Sequence, residues 1–341
     1  MSNRDHKKRA GADGLFKTAD ALPPKIFTDA SVISQQGQAA IKRSGPTARQ
    51  AERARLRLIK RLNLVADKTI KARMKKCRAH DSKSPAPCWQ NLCPVCGRLL
   101  GRWIAWTAPV ALRKVLKAAS KSKGCAQWTD FSIITITPRM RFDRDEFQSA
   151  PELVHRVIDN LHGALKAAGI SIAIGAINLN AYYDSSTNYN LSYGLQLRAI
   201  ILTSEILMQK PKHAIATSVG IDPHKSSKPV IVKMIRNNDL SPMLDLVRTK
   251  LQAMSIAPTY RGIYKLRVRH VSRARMMRSE LLAPLSPVFT DLGLEGRLFL
   301  HGARTKTDKL GRAVIRPLPE ALKAHNDVMQ QFHDYFADLG P

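Results

Sequence analysis

The feature that most constrains the fold is a cluster of four cysteines in the first third of the chain. They have the spacing C-x10-C-x4-C-x2-C, and the segment ends in a Cys-Pro-Val-Cys tetrapeptide. Four thiolates this close in sequence can hold one Zn2+ in a closed tetrahedral site, as structural zinc is held. We therefore expect a structural zinc knuckle with the ligands Cys77, Cys88, Cys93 and Cys96. His80 is close enough in sequence to replace Cys77 in that set.

The fifth cysteine and the N-terminal sequence indicate the compartment of such a protein. Cys125 makes the count odd, which does not suit a disulfide framework, and we expect it to be an ordinary thiol. Residues 1–10 lack the apolar segment of a secretory signal. No run of about 18 apolar residues predicts a membrane span. We therefore expect a cytoplasmic protein without a membrane partner, in which thiols favour metal over disulfide.

The charge of the chain predicts a polyanionic partner. The sequence has 56 Lys and Arg against 26 Asp and Glu, which gives a formal net charge of +30. Most of this excess lies in residues 1–125, which hold 28 Lys and Arg against 7 Asp and Glu. Such a field attracts nucleic acids and steers their association. Together with a zinc knuckle it favours DNA as the partner, and RNA is possible on the same grounds.

A flexible arm and a basic helix are predicted before the cysteines. Residues 1–46 are polar, which predicts a flexible basic arm. Residues 47–76 lack Gly and Pro, and an apolar residue recurs every third position, which predicts one helix. The apolar positions are Leu56, Ile59, Leu62 and Val65. The other faces carry Arg49, Arg53, Arg55, Arg57, Lys60, Arg61, Lys68, Lys71, Arg73, Lys75 and Lys76.

Two interpretations of this basic helix remain open. Acidic partners for pairing along the helix are few, which favours a helix laid on phosphates. The alternative is a solvated surface helix. A second helix at 97–120 carries Arg98 and Arg102, and it completes a predicted region of basic helices and zinc knuckle at 47–125.

The rest of the chain predicts an α+β domain. The β-branched run Phe131–Thr137 is typical of a buried strand. Further elements are predicted at 151–168 (helix), 170–179, 194–202 and 229–235 (strands), 240–254 (helix) and 267–271 (extended). This order predicts a mainly antiparallel sheet flanked by helices, in a domain at 126–280. Residues 281–341 are predicted as a C-terminal extension with a small strand or β-wing near 293–304 and a final helix.

The order of these elements resembles the HUH-type replication initiators, the rolling-circle Rep proteins of plasmids and related transposases. Many of them carry a cysteine cluster with a CPxC-like end, followed by a strand like Phe131–Thr137 and Pro138. The resemblance covers about residues 77–255. It implies a Rep-like sheet, recognition of an origin or element end, and cleavage by a tyrosine with a divalent metal, Mg2+ or Mn2+. The metal ligands of the family lie on a strand with a His-hydrophobic-His motif.

The chain departs from the family at the catalytic positions. The strand at 194–202 places Gln196 and Arg198 where the two histidines stand, and arginine stays protonated and cannot ligate a metal. Lys250 matches the lysine that follows the nucleophile, but Val247 stands in place of the tyrosine. The resemblance thus implies a DNA-binding Rep-like protein whose cleavage site is degenerate, in which Arg198 contacts a phosphate without cutting it.

A rival alignment would restore catalysis. Tyr260 and Tyr264 have the YxxxY spacing of two-tyrosine members of the class, and on a helix both hydroxyls would share one face. Pro258 and Gly262 argue against a regular helix there, and packing or phosphate contact is the ordinary role of such a pair. An active nicking enzyme is therefore kept as an alternative.

A second cluster of cations follows these tyrosines. No acidic residue interrupts it, and Arg dominates over Lys, which suits bidentate contacts to phosphate or guanine. It consists of Arg261, Lys265, Arg267, Arg269, Arg273, Arg275 and Arg278. A solvated face is the alternative. The sequence as a whole predicts a zinc-containing DNA-binding protein of the Rep-like class, and an RNA-binding zinc-knuckle protein is the remaining alternative.

Overall fold

The protein is described from a computed structural model. It describes residues 48–62, 68–78, 88, 90, 93–119, 130–138, 142, 151–184, 191–203, 215, 230–235, 253–258, 266–269, 295–309 and 313–323. The helices are α1 (Ala48–Leu62), α2 (Lys68–Lys75), α3 (Pro94–Ala119) and α4 (Pro151–Ala167). The strands are β1 (Asp130–Ile136), β2 (Ala173–Asp184), β3 (Leu191–Thr203), β4 (Val230–Met234), β5 (Ala253–Pro258), β6 (Leu266–Arg269), β7 (Leu298–His301), β8 (Ala303–Thr307) and β9 (Ala313–Pro317). A 3-10 turn, Glu295–Arg297, precedes β7.

The main sheet has the neighbour order β4-β1-β3-β2, and every adjacent pair in that path is antiparallel. Strands β1 and β2 therefore run parallel to each other with β3 between them, and α4 connects them along the chain. This is the split β-α-β arrangement. β7 adds an antiparallel neighbour to the start of β2, whereas β5 pairs in parallel with its end and continues into β6. The predicted α+β fold with a mainly antiparallel sheet is confirmed.

Helix α4 covers one face of this sheet. Directly opposed residues share a face, and the register puts Ile134, Ala199, Gly175 and Phe299 in one row across β1, β3, β2 and β7. The ring of His162 in α4 stacks on Phe299 with 4.3 Å between ring centroids. The opposite face therefore points away from α4, and it carries Gln196 and Arg198 of β3.

Helix α3 is buried along much of its length. Trp103, Ile104, Leu112 and Val115 recur at helical spacing and are almost fully buried. The helix contains Pro109, which cannot donate to the carbonyl one turn earlier. Its side chains join the cysteine segment and the sheet in one contiguous hydrophobic core. The division of the chain at residues 46, 125 and 280 stays a prediction.

Two glycines should respond to alanine in opposite ways. A Cβ at Gly175 would lie 2.0 Å from the carbonyl oxygen of Arg198 and 2.4 Å from Cα of Ala199, which are backbone atoms of β3. Gly175→Ala should therefore lower the free energy of unfolding by about 3 kcal/mol or more. Gly163 lies within α4 with nothing within 4 Å of a Cβ, so Gly163→Ala should raise it by about 0.5–1 kcal/mol. Urea denaturation of both variants tests the packing, which a neutral Gly175→Ala would contradict.

The prediction of one continuous helix over residues 47–76 is wrong. The described helices end at Leu62 and begin again at Lys68. The guanidinium of Arg55 donates a hydrogen bond to the carbonyl oxygen of Met74. In one straight helix these residues would be about 28 Å apart along the axis. The two helices therefore lie against each other rather than end to end, and Thr47 and Val65 lie outside the described residues.

The apolar face predicted for this helix is also wrong at one position. Leu56 is 49% exposed, whereas Ala51, Leu58 and Ile59 are buried. Arg55, which was predicted among the cations of the outer faces, lies on this buried side with 6% of its surface exposed. The period of three in Leu56, Ile59 and Leu62 is too short for a helix of 3.6 residues per turn, so it drifts across two faces.

Two other predicted elements differ in extent. Residues 182–184, predicted as part of a turn, continue β2 because the pairing with β5 extends the ladder to Asp184. Ala253 and Met254, predicted as the end of a helix, lie in β5 for the same reason. The strand near 293–304 is confirmed as β7 and the start of the β8–β9 hairpin. Of the predicted final helix, the described part is a helical turn at residues 319–323.

Candidate metal centre and basic surface

The four predicted cysteines meet at one point. The Sγ atoms of Cys77, Cys88, Cys93 and Cys96 all lie within 4.8 Å of one another. Sγ of Cys96 lies 3.7 Å from Sγ of Cys77 and 3.7 Å from Sγ of Cys88, and the Cys93–Cys77 distance is 3.8 Å. We call these residues the cysteine cluster. Because Cys77 is a member, the set predicted with Cys77 rather than His80 is the one found, and His80 lies outside the described residues.

The spacing of these sulfur atoms suits a zinc ion. Disulfide sulfurs are about 2.05 Å apart, so the cluster consists of free thiols. A tetrahedron with Zn–S bonds of about 2.3 Å has S–S edges of about 3.8 Å. The three distances above match that edge. Three of the thiols are buried and Cys88 is half-buried, so the four together leave little room for a water ligand. The arrangement is compatible with a closed structural zinc site.

Cys93 and Cys96 occupy the first turn of α3. The carbonyl oxygen of Cys93 accepts a hydrogen bond from the Gly97 amide at 2.9 Å, which makes Cys93 the N-cap and Cys96 the third helical residue. Pro94 fills the first helical position, where its missing N–H costs no hydrogen bond. Both thiols therefore lie at the N-terminal end of α3, which is the positive end of its helix dipole. The CPxC sequence thus starts helix α3 and, by doing so, positions Cys93 and Cys96, two of the four cysteines of the cluster.

Cys77 follows the end of α2, and Arg55 secures that end. The Cys77 amide donates to the carbonyl oxygen of Met74 at 3.2 Å, so the thiol emerges from the final turn. Arg55 donates to the carbonyl oxygens of Met74 and Lys75 in the last turn of α2. Its guanidinium also forms an ion pair with Glu52 one turn earlier in α1. The buried side chain of Arg55 therefore connects α1 to the end of α2, just before Cys77.

The electrostatics of the site agree with a bound cation. Hydrogen bonding with Cys77 and burial raise the pKa of the Cys88 thiol, and the same causes raise the pKa of Cys96. Binding of a zinc ion would therefore displace the protons of Cys88 and Cys96. Hydrogen bonding with Glu52 raises the pKa of Arg55, and the thiolate positions of Cys77 and Cys93 add to that effect. A four-thiolate zinc site carries a net negative charge, which Arg55 is placed to offset.

The outer side of α1 is a basic face. Arg49, Arg53, Arg57 and Lys60 are exposed and recur every three or four residues. Leu56 is exposed in their midst. On α2 and the turn that follows it, the exposed cations are Arg73, Lys75, Lys76 and Arg78. The predicted contacts Arg53, Arg57, Lys60, Arg73, Lys75 and Lys76 are therefore accessible to a polyanion.

Gln196 and Arg198 lie on the sheet face opposite α4. Arg198 is directly opposite Thr135 of β1, and Gln196 is directly opposite Asn178 of β2. The Gln196 amide donates to the hydroxyl of Thr137 at 3.1 Å. Both side chains are half-buried. The two positions predicted to replace metal-binding histidines thus project from one central strand to one face.

A buried arginine adds to this polar face. Arg297 donates to Oδ1 of Asn178 at 2.9 Å and to the carbonyl oxygen of Ile177 at 3.3 Å. Burial lowers its pKa to about 10, so it remains a cation at neutral pH. The sequence offered no reason to select Arg297. The signal that could have selected Arg55 was its spacing from Ala51 and Leu58, which places it on the buried side of α1.

The other predicted site residues are placed only in part. Arg98 is half-buried in the second turn of α3, and Arg102 lies one turn later. Arg61 belongs to α1, while Arg267 and Arg269 belong to β6. The remaining ones lie outside the described residues: Lys250, Tyr260, Arg261, Tyr264, Lys265, Arg273, Arg275 and Arg278. Cys125 lies outside them as well.

The described helices include none that is long and apolar enough to cross a membrane. No family model, curated protein or solved structure matches the chain. The geometry and chemistry of the cysteine cluster and its basic surroundings are therefore the ground for assigning a function.

Proposed function

We propose that this is a zinc-containing nucleic-acid-binding protein in which the metal anchors a basic helix. The observation that carries the proposal is the cysteine cluster, whose sulfur atoms have the spacing of a tetrahedral zinc site. Arg55 joins this cluster to α1, and the opposite side of α1 presents Arg49, Arg53, Arg57 and Lys60 to solvent. The bound zinc holds α1 in place, and the exposed cations of α1 contact phosphates.

The favoured nucleic acid is DNA, at a replication origin or at the end of a mobile element. Two features support a relation to Rep-like proteins. The first is the split β-α-β sheet that follows the cysteine segment. The second is the placement of Gln196 and Arg198 side by side on one face of a central strand. With an arginine and an amide at these positions, the strand binds a phosphate and supplies no metal site for cleavage.

Competition binding tests the proposal. A labelled single-stranded DNA, bound to zinc-loaded protein at about 150 mM salt, is displaced by unlabelled single-stranded DNA, duplex DNA or structured RNA. We expect DNA to compete better than RNA, with a linear dependence of log affinity on log salt concentration. The triple variant Arg53→Gln, Arg57→Gln, Lys60→Gln should lower that slope by about 2 to 3. Unchanged affinity in this variant would refute the role of α1.

A nicking assay with the same protein tests whether it cleaves the DNA that it binds. Supercoiled and single-stranded DNA are incubated with the protein in Mg2+ or Mn2+ and then resolved on a denaturing gel. We expect no nick and no covalent protein–DNA adduct. An adduct that is lost in Tyr260→Phe or Tyr264→Phe would make the protein a nicking enzyme. Preferential displacement by structured RNA would make it an RNA-binding protein.

A further inference from the structure

The outer stripe of α3 is basic in its second half. Arg113, Lys114 and Lys117 are exposed, and Val110, one turn before them, is 44% exposed. These positions are three or four residues apart and therefore share one side of the helix. Helix α3 contains no acidic residue in its 26 positions. Its exposed side thus offers cations that no carboxylate of the same helix can neutralise.

The β8–β9 hairpin carries a second set of cations. Arg304 lies directly opposite Arg316, and Lys306 lies directly opposite Val314. Residues two apart in a strand share a face, so Arg304, Lys306 and Arg316 project to the same side. The buried Ala303 and Ile315 belong to the other side, which packs on the core. Neither strand contains an acidic residue.

The helix stripe and the hairpin face adjoin each other. β9 packs against α3. Partial loss of solvent lowers the pKa of Lys114, and the charge of Arg316 lowers it further. Nε of Arg316 is buried and has no hydrogen-bond acceptor among the described residues. Like charges placed directly opposite each other in a β-ladder are unfavourable, so Arg304 and Arg316 repel each other.

We propose that Lys114, Arg304, Lys306 and Arg316 form a second phosphate-binding surface. It binds the nucleic-acid backbone at a site separate from the zinc-anchored helix α1. This inference rests on the proposed function. An anion that lies between Arg304 and Arg316 removes their repulsion, and arginine pairs hold phosphate oxygens in a bidentate manner. Alternate residues of β8 are about 6.6 Å apart, so Arg304 and Lys306 can contact different phosphates of one strand.

The surface suits a phosphate backbone better than a membrane. A helix that lies on a membrane inserts bulky apolar residues beside its cations, and the apolar side chains here are Val110 and Val314. An acidic polypeptide would be held by the same charges. Polyglutamate is therefore included as a competitor in the experiment below.

The test uses the full-length, zinc-loaded protein and the double variant Arg304→Gln, Arg316→Gln. The matched control is Arg156→Gln, which removes an exposed arginine from α4. The affinity for labelled single-stranded DNA is measured between about 50 and 300 mM salt. We expect at least a fivefold weaker affinity at about 150 mM salt and a salt slope reduced by about 1.4 in the double variant. Thermal unfolding should show equal or higher stability, because the opposed charges are gone.

The outcomes separate the inference from the proposed function. If the wild-type protein binds DNA and the double variant matches Arg156→Gln in affinity and slope, the second surface is refuted while the zinc-anchored helix stands. If polyglutamate displaces DNA from this surface more effectively than DNA itself does, the partner is an acidic protein and the inference fails. If the wild-type protein binds neither DNA nor RNA, the proposed function fails and the inference falls with it.

Discussion

Cys96→Ser should abolish zinc binding and unfold the region built from α1, α2 and the first turn of α3. Cys96 is fully buried, and its Sγ lies 3.7 Å from the sulfur atoms of both Cys77 and Cys88. Its loss removes one of the two cysteines of α3 and its N-cap that lie beside Cys77 at the end of α2. Because a structural zinc site contributes about 10–16 kcal/mol of binding free energy in small peptides, the cost should exceed that of an ordinary core substitution.

Three measurements on Cys96→Ser test this expectation. Elemental analysis should find one zinc per wild-type chain and less than about a tenth of that in the variant. Limited proteolysis should cut the variant within residues 48–78, and DNA affinity should fall at least tenfold as the basic face of α1 loses its anchor. The control is Cys125→Ser, since that cysteine is not one of the four predicted ligands. Full zinc content in Cys96→Ser would show that the site is not the four-thiolate one.

Arg55→Met should destabilise the protein far more than Arg53→Met. The Arg55 side chain fills a buried position, and its removal deletes its hydrogen bonds to the carbonyl oxygens of Met74 and Lys75 and its ion pair with Glu52. Hydrogen bonds to a charged group contribute about 1.5–3 kcal/mol each, so we expect a loss of about 2–3 kcal/mol. Arg53 is exposed, so its replacement should change the free energy of unfolding by less than about 0.5 kcal/mol.

Replacement of the two arginines should also have different effects on DNA binding and on zinc affinity. Arg53→Met removes a phosphate contact and should lower the salt slope of DNA binding by about 0.9. Arg55→Met should leave that slope unchanged in zinc-saturated protein but weaken zinc affinity, measured with a competing chelator. Arg55→Lys keeps the charge without the planar donor set, so it should restore only part of the stability. Equal stability of Arg53→Met and Arg55→Met would contradict the buried role of Arg55.

The cysteine cluster was predictable because its four cysteines lie close together in the sequence, and their spacing alone indicates a zinc site. The CPxC tetrapeptide specifies a helix start, and that start brings Cys93 and Cys96 together without help from distant residues. Strands β1 and β4 were predictable for a similar reason, since each is a short β-branched run. The join between α1 and the cluster was not, because it depends on Arg55 reaching a carbonyl that is 19 positions away.

Charge alone misassigned Arg55. Its neighbours Arg53 and Arg57 are exposed cations, and nothing in composition separates the three. The distinction lies in helical phase, since Arg55 follows Ala51 by one turn and precedes Leu58 by another. The ends of β2 and the existence of β5 were missed because parallel pairing between distant segments decides them, and no local pattern records such a pairing.

The pairing of β7 with β2, which is made much earlier in the chain, has a consequence for synthesis on the ribosome. Asn178 and Arg297, which meet at the junction of β2 and β7, are 119 positions apart in the chain. At about 5–20 residues per second, β2 leaves the ribosome roughly 6 to 24 seconds before its partner is made. During that interval the β7-pairing edge of β2 is an open template for other chains. The nascent protein should therefore depend on chaperones until residue 301 has emerged.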